Sequence, residues 1–279
     1  MQDTETEVEA HYTTGALADR VREAAAAMGA DPDHLTADDL KLADEFHTGG
    51  VLATEHLFDQ LSIAASYHVL DIGCGIGGTS RYVATRFGAS VTGFDLTQEF
   101  VDTAEALNQA VGLAEKIELS QGSATRMPVA DAAFDMAVML HVGMNIDDKA
   151  AVFAEAARAL KPGGTFAIFD VMRGQDTTSA LRFPLPWATV ADTSFVAPQD
   201  VYSAAAQGAG FTLVARTDRG QFAQEFVSEA LAKAASEGPA PLGIHLMMGD
   251  TARVKFENYL SNVESGCITP VEMIFRKET

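Results

Sequence analysis

The chain has 279 residues, 47% of them apolar, and a net charge of −20 from 39 Asp and Glu against 19 Lys and Arg. That balance sets nucleic acid aside, because binding it rests on basic side chains that neutralise phosphates. No apolar run approaches the ~18 residues that a membrane helix needs, and the acidic opening MQDTETEVEA is not a secretory leader.

In chain order, residues 1–11 read as a frayed end. The alanine-rich segment 15–28 places Leu17, Val21, Ala24 and Met28 on one helical face. Thr36 and Asp39 have capping-box spacing ahead of a short helix, and the loop Asp44 to Gly50 leads into a helix over 51–61. Val69, Leu70 and Ile72 then give a strand with no polar face, which must be buried.

The strand runs through Asp71 into a glycine-rich turn and a helix over 78–87. Glycines there let the backbone bend and approach a ligand that a Cβ would repel. Gly73, Gly75 and Gly78 match G-x-G-x-x-G, a spacing that also serves dinucleotides. Asp71 beside the turn disfavours a pyrophosphate and favours a cationic amino acid. Cys74 reads as a small filler within the turn, and neither it nor Cys267 has metal or redox spacing. A strand over 90–95 ends at Asp95, a carboxylate placed to accept from ribose hydroxyls.

Thr97 opens a helix over 98–111, and a strand near 116–120 ends at Gly122, Ser123 and Ala124. The apolar run 134–140 predicts a central strand that delivers His141 and Asn145 to the same end of the sheet. Asp147 caps a helix over 148–160, a Lys-Pro-Gly-Gly turn follows, and a strand covers 165–171. The loop 173–197 is long enough to be functional. Beyond it come a helix to residue 209, a strand over 211–216, helices over 220–236 and 249–263, and a strand over 268–276. Strands alternating with helices imply a mostly parallel sheet.

The segments VLDIGCGIGG, VTGFDLT, QGSA, FDMAVMLHV and LKPGGTFAIFD, in this order across 65–171, resemble the class I S-adenosylmethionine-dependent methyltransferases. FHTGGVLAT, LHVGMNI and PLGIHLMMG are similar to its small-molecule branch, which includes sarcosine/dimethylglycine N-methyltransferases and quinone or tocopherol C-methyltransferases. The resemblance implies a Rossmann-like α/β fold with a seven-stranded, mostly parallel sheet whose last strand is antiparallel. It implies a helical N-terminal lid over 1–64 and a catalytic domain over 65–279. That domain carries the acceptor-side loop 173–197 and a helical insertion over 220–263.

S-adenosylmethionine is the cofactor implied, held by Tyr12, His47, Asp71, Gly73, Cys74, Gly75, Asp95, Leu96, Ser123, Ala124 and His141. Many relatives carry an acid where Ser123 stands, so the backbone of Ala124 is the other candidate there. His141 and Asn145 stand where chemistry is expected, with Met144, Asn145, Arg173, Trp187 and His245 toward the acceptor. His141 is either a general base or an orienting group. An amine such as sarcosine or dimethylglycine leads the acceptor classes, its carboxylate calling for Arg173 or Arg182. A phenolic or quinone acceptor methylated at O or C is the alternative, and a non-catalytic cofactor-binding protein the rival class. No metal, nucleic acid or membrane is expected, a homodimer is allowed, and a reduced cytoplasm is the default setting. The acidity reads equally as ordinary solubility or as adaptation to a saline cytoplasm.

Overall fold

The computed structural model describes residues 2–13 and 15–279. The opening segment is not frayed: Gln2–Tyr12 forms a helix, α1. Val8 and Tyr12, one helical turn apart, are buried in the core beneath it. Burial of that face supplies what the polar sequence lacks on its own. Met1 lies outside the described residues.

Leu17–Ala27 (α2) buries Leu17, Val21 and Ala24 of the expected face, whereas Met28, which follows the last helical residue as the C-cap, is exposed. Ala37–Asp44 (α3) starts at Thr36, whose backbone N–H donates to the Asp39 carboxylate at 2.9 Å. Gly50–Phe58 (α4) completes the N-terminal helices.

His68–Ile72 (β1), Gly78–Phe87 (α5), Ser90–Asp95 (β2), Gln98–Ala110 (α6), Ile117–Gln121 (β3) and Phe134–Leu140 (β4) follow the sequence pattern closely. Lys149–Ala159 (α7) is capped one residue later than expected. Asp148, not Asp147, accepts from the Ala151 N–H at 2.9 Å. Leu160–Arg173 (β5) begins before the expected turn, because Leu160 already pairs with Phe134 and the ladder resumes at Thr165 opposite Met136 after an irregularity. Then come Gln199–Gly208 (α8), Phe211–Asp218 (β6), Gly220–Glu237 (α9), Ala252–Glu264 (α10) and Ile268–Lys277 (β7).

Among the described residues the seven strands are ordered β3-β2-β1-β4-β5-β7-β6. The pairs from β3 to β5 are parallel, while β7 runs antiparallel to both β5 and β6. Both faces of the sheet are covered. Leu70, Phe153, Phe166 and Phe275 pack on one side, and Val69, Phe58, Val83 and Phe169 on the other. A third cluster, from Val8, Leu17 and Leu40 to Trp187, Tyr259 and Ile268, lies over the carboxyl ends of the strands. Among the described residues no helix is long and apolar enough to cross a membrane.

Candidate active site

The turn after β1 is the tightest part of the site. Gly73 has φ +71°, and a Cβ on it would lie 2.4 Å from Val142. At Gly78, where α5 opens, a Cβ would lie 2.1 Å from the Asp44 carbonyl oxygen. Glycine is thus required by strain at one position and by the close approach of α3 at the other. The N–H groups of Gly73 and Cys74 both donate to the Phe94 carbonyl, at 2.9 and 3.0 Å.

Arg81, on α5 and 1% exposed, ties the turn to its surroundings. Its guanidinium donates to the Ile76 carbonyl within the turn at 2.7 Å and to Asn108 at 2.9 Å. Asp44 accepts from Nε at 3.1 Å and, through a shorter bond, from the terminal nitrogen that also reaches Ile76.

Every residue expected to hold the cofactor lines one cavity of about 470 Å³, joined there by Asn145. Asp71 is buried and accepts from the Ser80 hydroxyl at 2.6 Å. Burial pushes its carboxyl up to about 7. Asp95 accepts from the N–H of Gly75 through one oxygen and of Thr97 through the other, both at 2.9 Å. Burial raises its carboxyl as well. Thr97 stands at the start of α6 as expected, without a side-chain cap. Ser123 donates to Glu5 of α1 at 2.5 Å.

His141 follows β4 in the left-handed region, at φ +55°, an uncommon conformation for a residue with a Cβ that marks functional positions. Its Nε2 is buried with no hydrogen-bond partner among the described residues. Burial, and then the neighbouring His47, holds its pKa well below the ordinary histidine value. The ring is therefore neutral at physiological pH. The His47 ring lies 5.7 Å from it. His47 Nε2 is held by Glu45 at 2.8 Å and Thr54 at 3.0 Å, and the residue lines the cavity. Tyr12 donates to Asn145 at 3.3 Å.

A second cavity of about 60 Å³ adjoins the first and shares Tyr12, Phe46, His47 and His141 with it. Its other walls are Thr48, Met144, Pro186, Trp187, Phe226, Val227, Ile244, Met248, Phe256 and Tyr259. No Lys, Arg, Asp or Glu is among the described residues lining it. Trp187 is buried, with Nε1 donating to Ser194 at 2.9 Å and its ring edge-on to Tyr259. Thr48 hydrogen-bonds the Tyr259 hydroxyl at 2.7 Å.

Two expected acceptor contacts are elsewhere. Arg173 lines neither cavity, since its guanidinium donates to the carbonyls of Asp176 and Ser179 at 3.0 and 3.1 Å in the following loop. His245 also lines neither; it is half-buried against Gly243, and its neighbours Ile244 and Met248 form the wall instead. Arg182 is exposed. The sequence reading missed Glu5, Thr48, Phe226, Phe256 and Tyr259, although Val8 and Tyr12 at helical spacing were a signal that 2–12 packs down.

The fold and this cavity at the carboxyl ends of the strands define a class I methyltransferase domain. Residues 70–168 match the family model of a methyltransferase domain, so the chain carries an S-adenosylmethionine-dependent methyltransferase domain. It is 30% identical over 176 residues to Methyltransferase GfsG of Streptomyces halstedii, covering 63% of each chain. It is 32% identical over 115 residues to sterol 24-C-methyltransferase ERG6B of Gibberella zeae, covering 41% of this chain and 30% of that one. The chain thus spans less than two thirds of the length of these relatives. Phosphoethanolamine N-methyltransferase 2 of Haemonchus contortus, solved with phosphomonomethylethanolamine and S-adenosylhomocysteine, superposes with a TM-score of 0.72 at 17% identity. That alignment covers 85% of this chain and 55% of that one.

Proposed function

We propose that this protein transfers a methyl group from S-adenosylmethionine to a small, uncharged, largely apolar acceptor, at a hydroxyl or a carbon. The observation that carries this reading is the second cavity, walled by aromatic and aliphatic side chains without a charged residue among those described. A sarcosine or dimethylglycine carboxylate would be buried there without a cation, at a cost of several kcal/mol. Arg173, the residue expected to receive it, is committed to its own loop. The amino-acid amine therefore yields to the alternative acceptor class. A relative named for a sterol acceptor agrees with an apolar pocket.

S-adenosylmethionine, when bound, supplies a methyl group already activated on a sulfonium. The chain's own residues place and desolvate the reactants. Asp95 accepts from the ribose hydroxyls, Asp71 and the glycine turn hold the amino-acid end, and α1 with the helices up to residue 64 closes the site as a lid over the domain 65–279. His141 meets the acceptor where the two cavities join. Its neutral Nε2 would take up the proton that the acceptor hydroxyl gives up on methylation. Against a non-catalytic role stands this unpartnered nitrogen, a strained and unsatisfied group that binding alone does not require. A methyl-transfer assay with labelled cofactor and a panel of phenols, hydroxylated terpenoids, sarcosine and dimethylglycine tests the reading. Turnover of the two amino acids with none of the apolar acceptors would overturn it.

Two further results are expected. Asp95→Ala should weaken cofactor binding by about 1–3 kcal/mol, the scale of one or two lost hydrogen bonds, as read by calorimetry. Unchanged affinity in the folded variant would remove Asp95 from the ribose site. With the Asp71 carboxyl at about 7, its charge and its attraction for the cofactor's ammonium grow between pH 6 and 8. Cofactor affinity should rise about tenfold over that range and flatten in Asp71→Asn. For the ligand-free protein the sign is opposite. A buried acid whose pKa is raised binds its proton more tightly when folded, so stability falls as pH climbs from the ordinary carboxylate value toward 7.

A further inference from the structure

Beyond Asp95, the larger cavity is walled from the sheet side by Leu96, Gly122, Ser123 and Ala124, and from above by Thr4, Glu5 and Val8 of α1. If the cofactor lies as proposed above, on which this inference rests, its adenine enters this end. Adenine carries an exocyclic amino group, a donor that needs an acceptor once water is excluded. Ser123 is poorly placed to be that acceptor. Its hydroxyl hydrogen is directed at Glu5, and its oxygen already accepts from the Thr125 N–H at 3.2 Å.

Glu5 brings a full negative charge and several lone pairs to the same spot. It is not a loose surface acid. The helix that carries it is pinned by Gln121 to Glu9 at 3.2 Å, by Tyr12 to Asn145 at 3.3 Å and by His11 to the Pro186 carbonyl at 3.0 Å. The other acids lining the cavity are committed elsewhere or exposed. Asp44 is paired with Arg81, Asp71 and Asp95 serve the turn, Asp148 caps α7, and Asp147 is exposed.

We propose that Glu5 reads the adenine: its carboxylate accepts from the 6-amino group and thereby supplies, from the N-terminal helix, the acid that position 123 lacks. The base is recognised by the lid rather than by the sheet. Base recognition and lid closure become one event, because the contact exists only when α1 lies across the cavity.

A mutational cycle between Glu5 and the amino group isolates the contact. The probes are S-adenosylhomocysteine and its 6-deamino analogue, in which the base is unsubstituted purine, with binding measured by calorimetry. The unmodified protein should bind the adenosyl compound about 10- to 100-fold tighter, the scale of a hydrogen bond to a charged group. In Glu5→Ala the two should bind within about threefold of each other, and Glu5→Gln, which keeps a neutral acceptor, should fall between. Glu5→Ala combined with Ser123→Asp should restore most of the preference by returning the carboxylate to the sheet. Thermal unfolding of each variant confirms that it is folded. A wild-type preference persisting in Glu5→Ala or Glu5→Gln would overturn the role of Glu5 alone. No binding of S-adenosylhomocysteine to the unmodified protein would overturn the cofactor reading and this inference together.

Discussion

Asp44→Ala should cost the protein about 3–5 kcal/mol of stability, the usual loss when one member of a buried ion pair is removed. Arg81 is 1% exposed, and its charge would remain with only the Ile76 carbonyl and Asn108 for partners. The loss is read from chemical denaturation of the ligand-free protein. Replacing both members with apolar residues, Asp44→Leu with Arg81→Met, should be far milder, because no uncompensated charge stays behind. That double variant should still bind S-adenosylmethionine weakly, since the glycine turn loses the donor that fixes Ile76. A loss under about 1 kcal/mol in Asp44→Ala would place the pair among ordinary surface contacts.

His141→Gln should lower turnover by about 10²-fold or more at saturating acceptor, the scale of a lost general base, while cofactor affinity barely changes. Glutamine keeps a hydrogen-bonding side chain, and like histidine it carries a Cβ, so the left-handed backbone at this position remains comparably strained. What disappears is the buried ring nitrogen without a partner among the described residues, on a residue that lines both cavities. If His141 only orients the acceptor, the loss should be smaller and fall mainly on the acceptor KM. Normal turnover in the variant would exclude proton transfer at this residue.

How far the sequence could be read depended on whether the cause was local. Val69 to Ile72 and 134–140 are strands because apolar runs of that length need cover on both faces, and the structure gives it. The glycine turn was equally legible, since Gly73 answers to a backbone angle. The acidic helix α1 was not. Apart from Val8 and Tyr12 its composition is polar, and the contacts that hold it down come from the distant Gln121, Ser123, Asn145 and Pro186. Arg173 and His245 failed for a related reason. Their chemistry suited an acceptor pocket, but side-chain direction follows from strand register and loop closure, which residue type does not encode. Trp187 reached the pocket because it is large and apolar enough to be drawn into the nearest core.

The place of β7 bears on how the chain is made. It is the last of the seven strands to be synthesised, yet it stands inside the sheet, between β5 and β6. Until it emerges, β6 has no neighbour and β5 shows an open edge whose backbone donors and acceptors can pair with a foreign strand. Domains assemble as the ribosome releases them, from the N-terminal side onward. Here the nascent sheet stays divided, with five strands on one side and a single stray strand on the other. Closure waits for residues 268–277, and a ribosome stalled just short of them would display a sticky, half-built protein.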